Sequence, residues 1–317
     1  MQRIEPFELL RPRTVAEAAQ LLAERARAMV VAGGSDLVPK LKRGQFAPDA
    51  LVSIADVGGI DGVSREGDVV RIGALTRLRA LERAREIADL TALREAVGVV
   101  ATPIIRNMAT VGGNLLQDTR CRYYDRSPFW RDAVGSCLKL DTDICRVATS
   151  GGRCFATLCS DLAPALVALD AEVTLVGTGG SGTRVVPLEA LYRDDGKDPF
   201  DLRGEILARV DVPARPRFSR YRKLRIRDSF DFPELGVAVV IEPVGDEKLS
   251  VCVAVTAVSP SIPVFRNEVK RGDLHGIADT VYAALKPMDT LFFPPAYRKS
   301  VARNFLLGIF DEFLAAR

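Results

Sequence analysis

The chain has 317 residues, 48% of them hydrophobic, enough to bury a sizeable core and to divide into two or three units. Its 44 basic residues stand against 41 acidic ones, and a net charge of +3 is too small to mark a surface built to neutralise a nucleic-acid backbone. No run approaches the roughly 18 apolar residues of a membrane span, and the start Met1-Gln2-Arg3-Ile4-Glu5-Pro6 lacks the apolar core of a secretory signal. A cytoplasmic protein with neither a nucleic-acid nor a membrane partner is therefore expected. The single histidine, His275, gives no support to a His-rich metal site or a Ser-His-Asp triad. Any redox chemistry must rest on a cofactor.

In chain order, Thr14 and Glu17 predict a capping box ahead of a helix over Val15–Leu22. Met29-Val30-Val31-Ala32 reads as a strand running into the turn Gly33-Gly34-Ser35-Asp36 and a short amphipathic stretch ending near Gly44, and Leu51–Ile54 as a second strand closing a βαβ-sized unit. A hairpin is expected from Val63 to Ile72 around Glu66-Gly67-Asp68, followed by helices through Val100. Residues 101–160 are rich in Gly, Cys and aromatics with weak periodicity, long for an idle loop. A helix over Ala163–Leu169 and a strand over Glu172–Val176 come next. Pro213 and Pro216 suggest a boundary. Beyond it, Gly236–Ile241 and Leu249–Val258 predict antiparallel strands, and helices are expected near Leu274–Leu285 and Pro295–Ala316. The expected units are 1–55, 56–213 with an insert at about 118–157, and 214–317.

Two glycine turns carry the first functional signal. Ala32-Gly33-Gly34-Ser35-Asp36 sits between a strand and a helix, where backbone N–H groups approach a phosphate closely and Ser35 is placed to cap the helix. Ala109-Thr110-Val111-Gly112-Gly113-Asn114-Leu115 offers the same chemistry from its Gly-Gly amides with Thr110 and Asn114, so that the pair suits the two ends of a pyrophosphate. Neither has the Gly-x-Gly-x-x-Gly order of a nicotinamide site, and each alone is equally an ordinary turn.

The two turns, Ser160-Asp161-Leu162-Ala163-Pro164-Ala165-Leu166-Val167-Ala168-Leu169-Asp170-Ala171, and Lys223 with Asp231-Phe232-Pro233 together resemble the flavoprotein subunits of xanthine and carbon monoxide dehydrogenases, in order and spacing over essentially the whole chain. The resemblance implies an α+β fold: a vanillyl-alcohol-oxidase (PCMH) type FAD-binding domain in two α/β subdomains, then a C-terminal domain of antiparallel strands and helices as in the carbon monoxide dehydrogenase flavoprotein. It places Val30, Val31, Ala32, Gly33, Gly34, Ser35 and Asp36, with Ala109, Thr110, Gly112, Gly113, Asn114 and Leu116, around the FAD pyrophosphate and ribityl chain. It puts Ser160, Asp161, Leu207 and Lys223 near the rest of the flavin, where Lys223 suits negative charge on the reduced ring and Leu207 a ring face. Without the resemblance, Leu207 reads as core and Lys223 as a solvated strand residue. No catalytic residue is expected on this chain beyond electron relay.

Five of the six cysteines lie between Cys121 and Cys159, and the intervals separating Cys121, Cys137, Cys145 and Cys154 are fifteen, seven and eight residues. Zinc usually shows a Cys-x-x-Cys knuckle, and a disulfide framework is not expected in a chain without a secretion signal. Irregular loops suit the cube of a [4Fe-4S] cluster, with Tyr123, Tyr124, Phe129 and Trp130 as candidate shielding, while buried unliganded thiols are the plain alternative. Gly112–Cys121, Tyr124, Trp130-Arg131, Cys137-Leu138-Lys139, Cys145, Arg153–Thr157 and Lys223–Pro233 resemble the β subunits of 4-hydroxybenzoyl-CoA reductases, which carry a [4Fe-4S] insert. Cys121, Cys137, Cys145 and Cys154 match the four ligand positions. Cys159 is extra and falls on the flavin motif, and Cys252 reads as core.

These resemblances imply a large molybdenum-cofactor subunit and a small subunit with [2Fe-2S] clusters as partners, a dimer of heterotrimers, and reduced ferredoxin as donor for reductive dehydroxylation of 4-hydroxybenzoyl-CoA to benzoyl-CoA. The alternative is the FAD subunit of a xanthine- or aldehyde-type hydroxylase that passes electrons to NAD or another acceptor. A metal-stabilised interaction module with empty glycine turns is a third reading. Arg220, Arg222, Arg225 and Arg227 read mostly as a solvated strand face, Asp194–Asp198 as a surface turn and His275 as structural.

Overall fold

Three runs of strand-forming sequence become three sheets in the computed structural model, which describes residues 4–140, 142–178, 182–215 and 217–316. Met1–Arg3 and Pro216, used above for the leader and the boundary, lie outside the described residues. The first unit contains strand β1 (Glu8–Leu10), helix α1 (Val15–Ala23), β2 (Ala28–Val31), α2 (Leu37–Lys42) and β3 (Ala50–Ser53), with the strands parallel in the order β1-β3-β2. The three-residue β1 has too few positions to show any periodicity. At the start of α1, Thr14 Oγ1 accepts from Glu17 N at 3.1 Å. The Glu17 carboxylate reaches back to Arg13 N at 2.7 Å, one residue before the position a capping box would use. Ala18 and Ala19 are fully buried, and their short side chains let α1 lie close against β3.

The second unit opens with the expected hairpin, β4 (Val63–Glu66) and β5 (Val69–Gly73), whose turn residue Gly67 has a φ of +58° that a side chain would strain. Among the described residues, six α-helices follow: α3 (Leu78–Arg83), α4 (Thr91–Gly98), α5 (Pro103–Arg106), α6 (Val111–Leu115), α7 (Pro128–Val134) and α8 (Leu162–Ala168). Strands β6 (Glu172–Val176), β7 (Thr183–Pro187) and β8 (Ile206–Pro213) then complete an antiparallel sheet in the order β4-β5-β8-β6-β7. Every residue of α8 is buried. A helix that is apolar all round has to be packed on every side, and α8 is indeed held between α4, α6 and the third sheet.

That third sheet is a meander of β9 (Phe218–Leu224), β10 (Leu235–Val244), β11 (Lys248–Thr256) and β12 (Val264–Lys270), followed by helices α9 (Gly276–Ala284) and α10 (Pro295–Ala315). The run Leu235–Ile241 is buried at every position because its strand is covered on both faces. Ala238 and Val240 join the core around α8, while Val237, Val239 and Ile241 join a second core beneath α9 and α10. A small parallel sheet and two antiparallel sheets with segregated helices make the architecture α+β.

The reading of β9 as a solvated basic face is corrected in part. Arg222 pairs with Glu95 on α4 at 3.4 Å and with Glu312 on α10, and Arg220 also bonds Glu312, at 2.9 Å. The strand is wedged between two helices that present carboxylates, a packing its local sequence does not encode. His275, exposed, bonds Asp311 at 2.9 Å, and Cys252 is half-buried against the larger core. Among the described residues no helix is long and apolar enough to cross a membrane.

Phe310 is fully buried between α10 and the third sheet. Phe310→Ala is expected to lower stability by about 3–5 kcal/mol, seen as a fall in the urea midpoint at unchanged slope.

Candidate functional site

A cleft of about 600 Å³ lies between the first two units, in the size range of sites that enclose organic ligands. Its floor is β2 and the turn that follows, with Val30, Val31, Ala32, Gly33, Gly34, Ser35 and Asp36 all on its wall. Thr110, Gly112, Gly113 and Leu116 face them from α6, and Leu207 from β8.

The two turns meet because Gly33 has no side chain. A Cβ there would stand 1.8 Å from the Met108 carbonyl oxygen and 3.3 Å from Ala109 Cα. Ala109 itself lies behind the wall, its carbonyl accepting from Leu78 N at 2.9 Å. Gly34 has a φ of +69°, which closes the first turn. The amides of Gly33, Gly34 and Ser35 donate to no carbonyl among the described residues, which leaves three donors at the cleft.

The second turn differs from expectation. Gly112 N donates to Ala74 O at 2.8 Å and Gly113 N to Thr110 Oγ1 at 3.1 Å, so the Gly-Gly amides are engaged inside the protein and present a bare, closely approachable surface instead. Ser35 does not cap α2. Asp36 holds the cap position, with its carboxylate turned to Asp118 N at 3.0 Å and Arg120 at 2.6 Å.

Asn114, Ser160, Asp161 and Lys223 lie off the cleft wall in a buried network. Asn114 Oδ1 accepts from Ser160 Oγ at 2.8 Å and Leu162 N at 3.3 Å, which ties α6 to α8. The Lys223 ammonium bonds Asp161 at 2.9 Å and Val99 O at 3.0 Å, and Tyr221 donates to Asp161 at 2.8 Å. Burial pushes the Asp161 carboxyl above its ordinary range despite the opposing pull of Lys223 and Tyr221. The pair clamps the third sheet to α8.

The insert leaves the fold at a two-residue bridge, where Arg120 N donates to Thr157 O at 2.8 Å and Thr157 N to Arg120 O at 2.7 Å. Between these anchors Cys121, Cys137, Cys145 and Cys154 are all buried and line one void of about 10 Å³, room for one water-sized sphere. All six cysteines of the chain are free thiols. Burial pushes the Cys121 thiol up to about 12 and the Cys154 thiol up to about 11. Among the described residues no group of His, Cys, Asp or Glu has the geometry to hold a metal ion. Tyr123 and Tyr124 do line the void, but Phe129 is 83% exposed and Trp130 packs on Tyr123 at 6.3 Å between ring centres. Cys159 stands apart, buried against Ala257 and Leu291, and does not reach the cleft.

Sequence reasoning missed Lys40, Gln117, Asp118, Tyr124 and Lys139 as a cleft-side group. Lys40 is 1% exposed and bonds Asp118 at 2.6 Å, and Lys139 bonds the same carboxylate at 2.5 Å. Burial alone would raise the Asp118 carboxyl, but the two ammoniums hold it below its ordinary range. The available signal was position: Gln117 and Asp118 directly follow the second turn. The buried Gln117 Nε2, on the cleft-lining residue, has no partner within the protein, as expected of a group that awaits a ligand.

Residues 5–215 match the family described as the FAD binding domain in molybdopterin dehydrogenase. The FAD-binding subunit PaoB of the aldehyde oxidoreductase of Escherichia coli is 35% identical over 262 residues, 78% of this chain and 81% of that one. The carbon monoxide dehydrogenase medium chain of Hydrogenophaga pseudoflava is 26% identical over 311 residues, 93% of each chain. Among solved structures, carbon monoxide dehydrogenase from the same organism superimposes with a TM-score of 0.73 at 22% identity, covering 96% of both chains. Quinoline 2-oxidoreductase from Pseudomonas putida 86 gives 0.74 at 17%, covering 98% of this chain and 97% of that one. The fold is thus the PCMH-type FAD-binding one.

Gly33→Ala drives a methyl group into the Met108 carbonyl, and is expected to abolish retention of flavin on purification, read from the visible absorbance of the protein. Asp161→Ala strands the Lys223 ammonium in the interior and is expected to cost about 3–5 kcal/mol in denaturant unfolding.

Proposed function

This chain belongs to the family of FAD-binding domains in molybdopterin dehydrogenases, and we propose that within it the chain carries both FAD and a [4Fe-4S] cluster as the electron-transfer subunit of a 4-hydroxybenzoyl-CoA reductase-like complex. The coarser statement is established: it is the FAD-binding subunit of a molybdenum hydroxylase of the xanthine, aldehyde and carbon monoxide dehydrogenase type. The observation that carries the finer reading is the convergence of four buried thiols, with no imidazole or carboxylate among them, on a single void next to the cleft.

By donor type the residues present suit both groups. Free amides at Gly33, Gly34 and Ser35, the bare Gly112-Gly113 surface and the unpartnered Gln117 amide suit a dinucleotide, and Leu207 supplies an apolar wall. Cys121, Cys137, Cys145 and Cys154 form an all-sulfur donor set of the kind that holds a four-iron cluster, whose cube needs its ligands farther apart than a single ion does. When bound, FAD exchanges one or two electrons and the cluster one at a time. On this reading the partners are a large molybdenum-cofactor subunit and a small [2Fe-2S] subunit in a dimer of heterotrimers, the donor is ferredoxin, and the complex removes the phenolic hydroxyl of 4-hydroxybenzoyl-CoA in the cytoplasm.

A second reading rests on the 35% identity to an aldehyde oxidoreductase subunit: the same chain in a complex that oxidises an aldehyde and passes the electrons outward. Iron, acid-labile sulfide and flavin analysis with EPR of the anaerobically purified complex tests the cofactor content. One FAD and four irons beyond those of the small subunit are expected, and their absence would sink the cluster. Turnover of 4-hydroxybenzoyl-CoA with reduced ferredoxin supports the reductase, whereas bleaching of the flavin by an aldehyde without ferredoxin favours the second reading.

A further inference from the structure

The thiol void and the cleft share a wall, and among the described residues only Tyr124 and Lys139 line both. The Lys139 side chain is 5% exposed and its ammonium is fixed by Asp118 at 2.5 Å, Gly196 O at 2.7 Å and the Thr119 hydroxyl. It also lies over the Tyr124 ring, 4.8 Å from the centre, with the Lys40 ammonium 4.9 Å from the same centre. Lys40 and Lys139 share the single carboxylate of Asp118. Asp125 reaches Lys40 only at 3.7 Å, and it also faces Arg43 and Arg120, the latter already paired with Asp36. The wall therefore carries more positive than negative charge, and its most buried cation next to the thiols is Lys139. Arg146 also lines the thiol void but does not reach the cleft.

Four thiolates give an iron–sulfur cluster a net negative charge that grows by one on reduction. A fixed cation in a poorly solvated wall stabilises the reduced form more than the oxidised one, with little screening by solvent or salt. We propose that the Lys139 ammonium, held between the thiol group and the cleft, raises the reduction potential of the cluster and so keeps it within reach of the flavin. The proposal rests on the cluster reading above. Lys139 is a positioning residue of electrostatic kind: it ligates nothing and exchanges no electron.

The test is an EPR-monitored redox titration of the purified complex carrying wild-type, Lys139→Met, Lys139→Arg or Asp118→Asn chains, with iron and sulfide measured on each. Lys139→Met is expected to shift the cluster's one-electron equilibrium toward the oxidised form by tenfold or more, about 59 mV. Lys139→Arg is expected to stay near the wild-type potential. Asp118→Asn removes a negative charge from the same wall and is expected to move the potential the opposite way. Should Lys139→Met assemble no cluster, the upward shift in Asp118→Asn decides. A wild-type complex without a four-iron signal overturns the cluster reading and this proposal together. A wild-type signal with an unmoved potential in Lys139→Met, or in Asp118→Asn where Lys139→Met fails to assemble, overturns this proposal alone.

Discussion

The missing side chain at Gly33 is the constraint on which the site depends. The first unit rests against the second where Gly33 meets the backbone at Met108 and Ala109, with space for a hydrogen and for nothing larger. That contact sets the separation of the two glycine turns, and with it the width of the cleft. The second turn works differently. Its amides are consumed in holding α6 to Ala74 and Thr110, and its contribution is closeness of approach. Two similar sequences thus shape one cleft by unlike means, one with free amides and the other with a bare, closely approachable surface.

The insert is attached to this arrangement with economy. Its ends are fastened by the Arg120–Thr157 bridge, and its interior is fastened by charge: Asp36, Arg120, Asp125, Lys40, Asp118 and Lys139 form a chain of ion pairs running from the first glycine turn to the cysteine loops. Buried ion pairs contribute little net stability, because desolvation offsets most of their attraction. Their role here is better understood as geometric and electrostatic, since they fix the distance between two sites and leave an excess cation in the wall. Gly196, from a turn far along the chain, completes the seat by lending its carbonyl to Lys139 while its bare Cα lies against Ala156.

The third sheet supports the site from behind. Its two buried faces join the core around α8 to the core under α10, and the Asp161–Lys223 pair lies on the α8 side. Lys223 is buried, because α4 packs over its strand and Val99 and Asp161, at the ends of α4 and α8, accept from its ammonium.

The amino-acid sequence by itself determined the elements whose cause is local. The hairpin around Gly67, the apolar α8, the two central meander strands and the two terminal helices follow from turn chemistry and periodicity, and the glycine turns and clustered cysteines supply residue types that suit a ligand site. Only the tertiary structure decided which donors remain free, because an amide such as that of Gly112 is spent or available according to whether Ala74, distant in sequence, lies within reach. The same holds for Lys40, Lys139 and Lys223. A lysine reads as solvated in any local window, and its burial depends on carboxylates brought to it by chain segments tens of residues away. The four thiols are neighbours in a stretch of sequence, but their convergence on one void, with Cys159 left outside it, is a property of the loops once Arg120 and Thr157 have closed them.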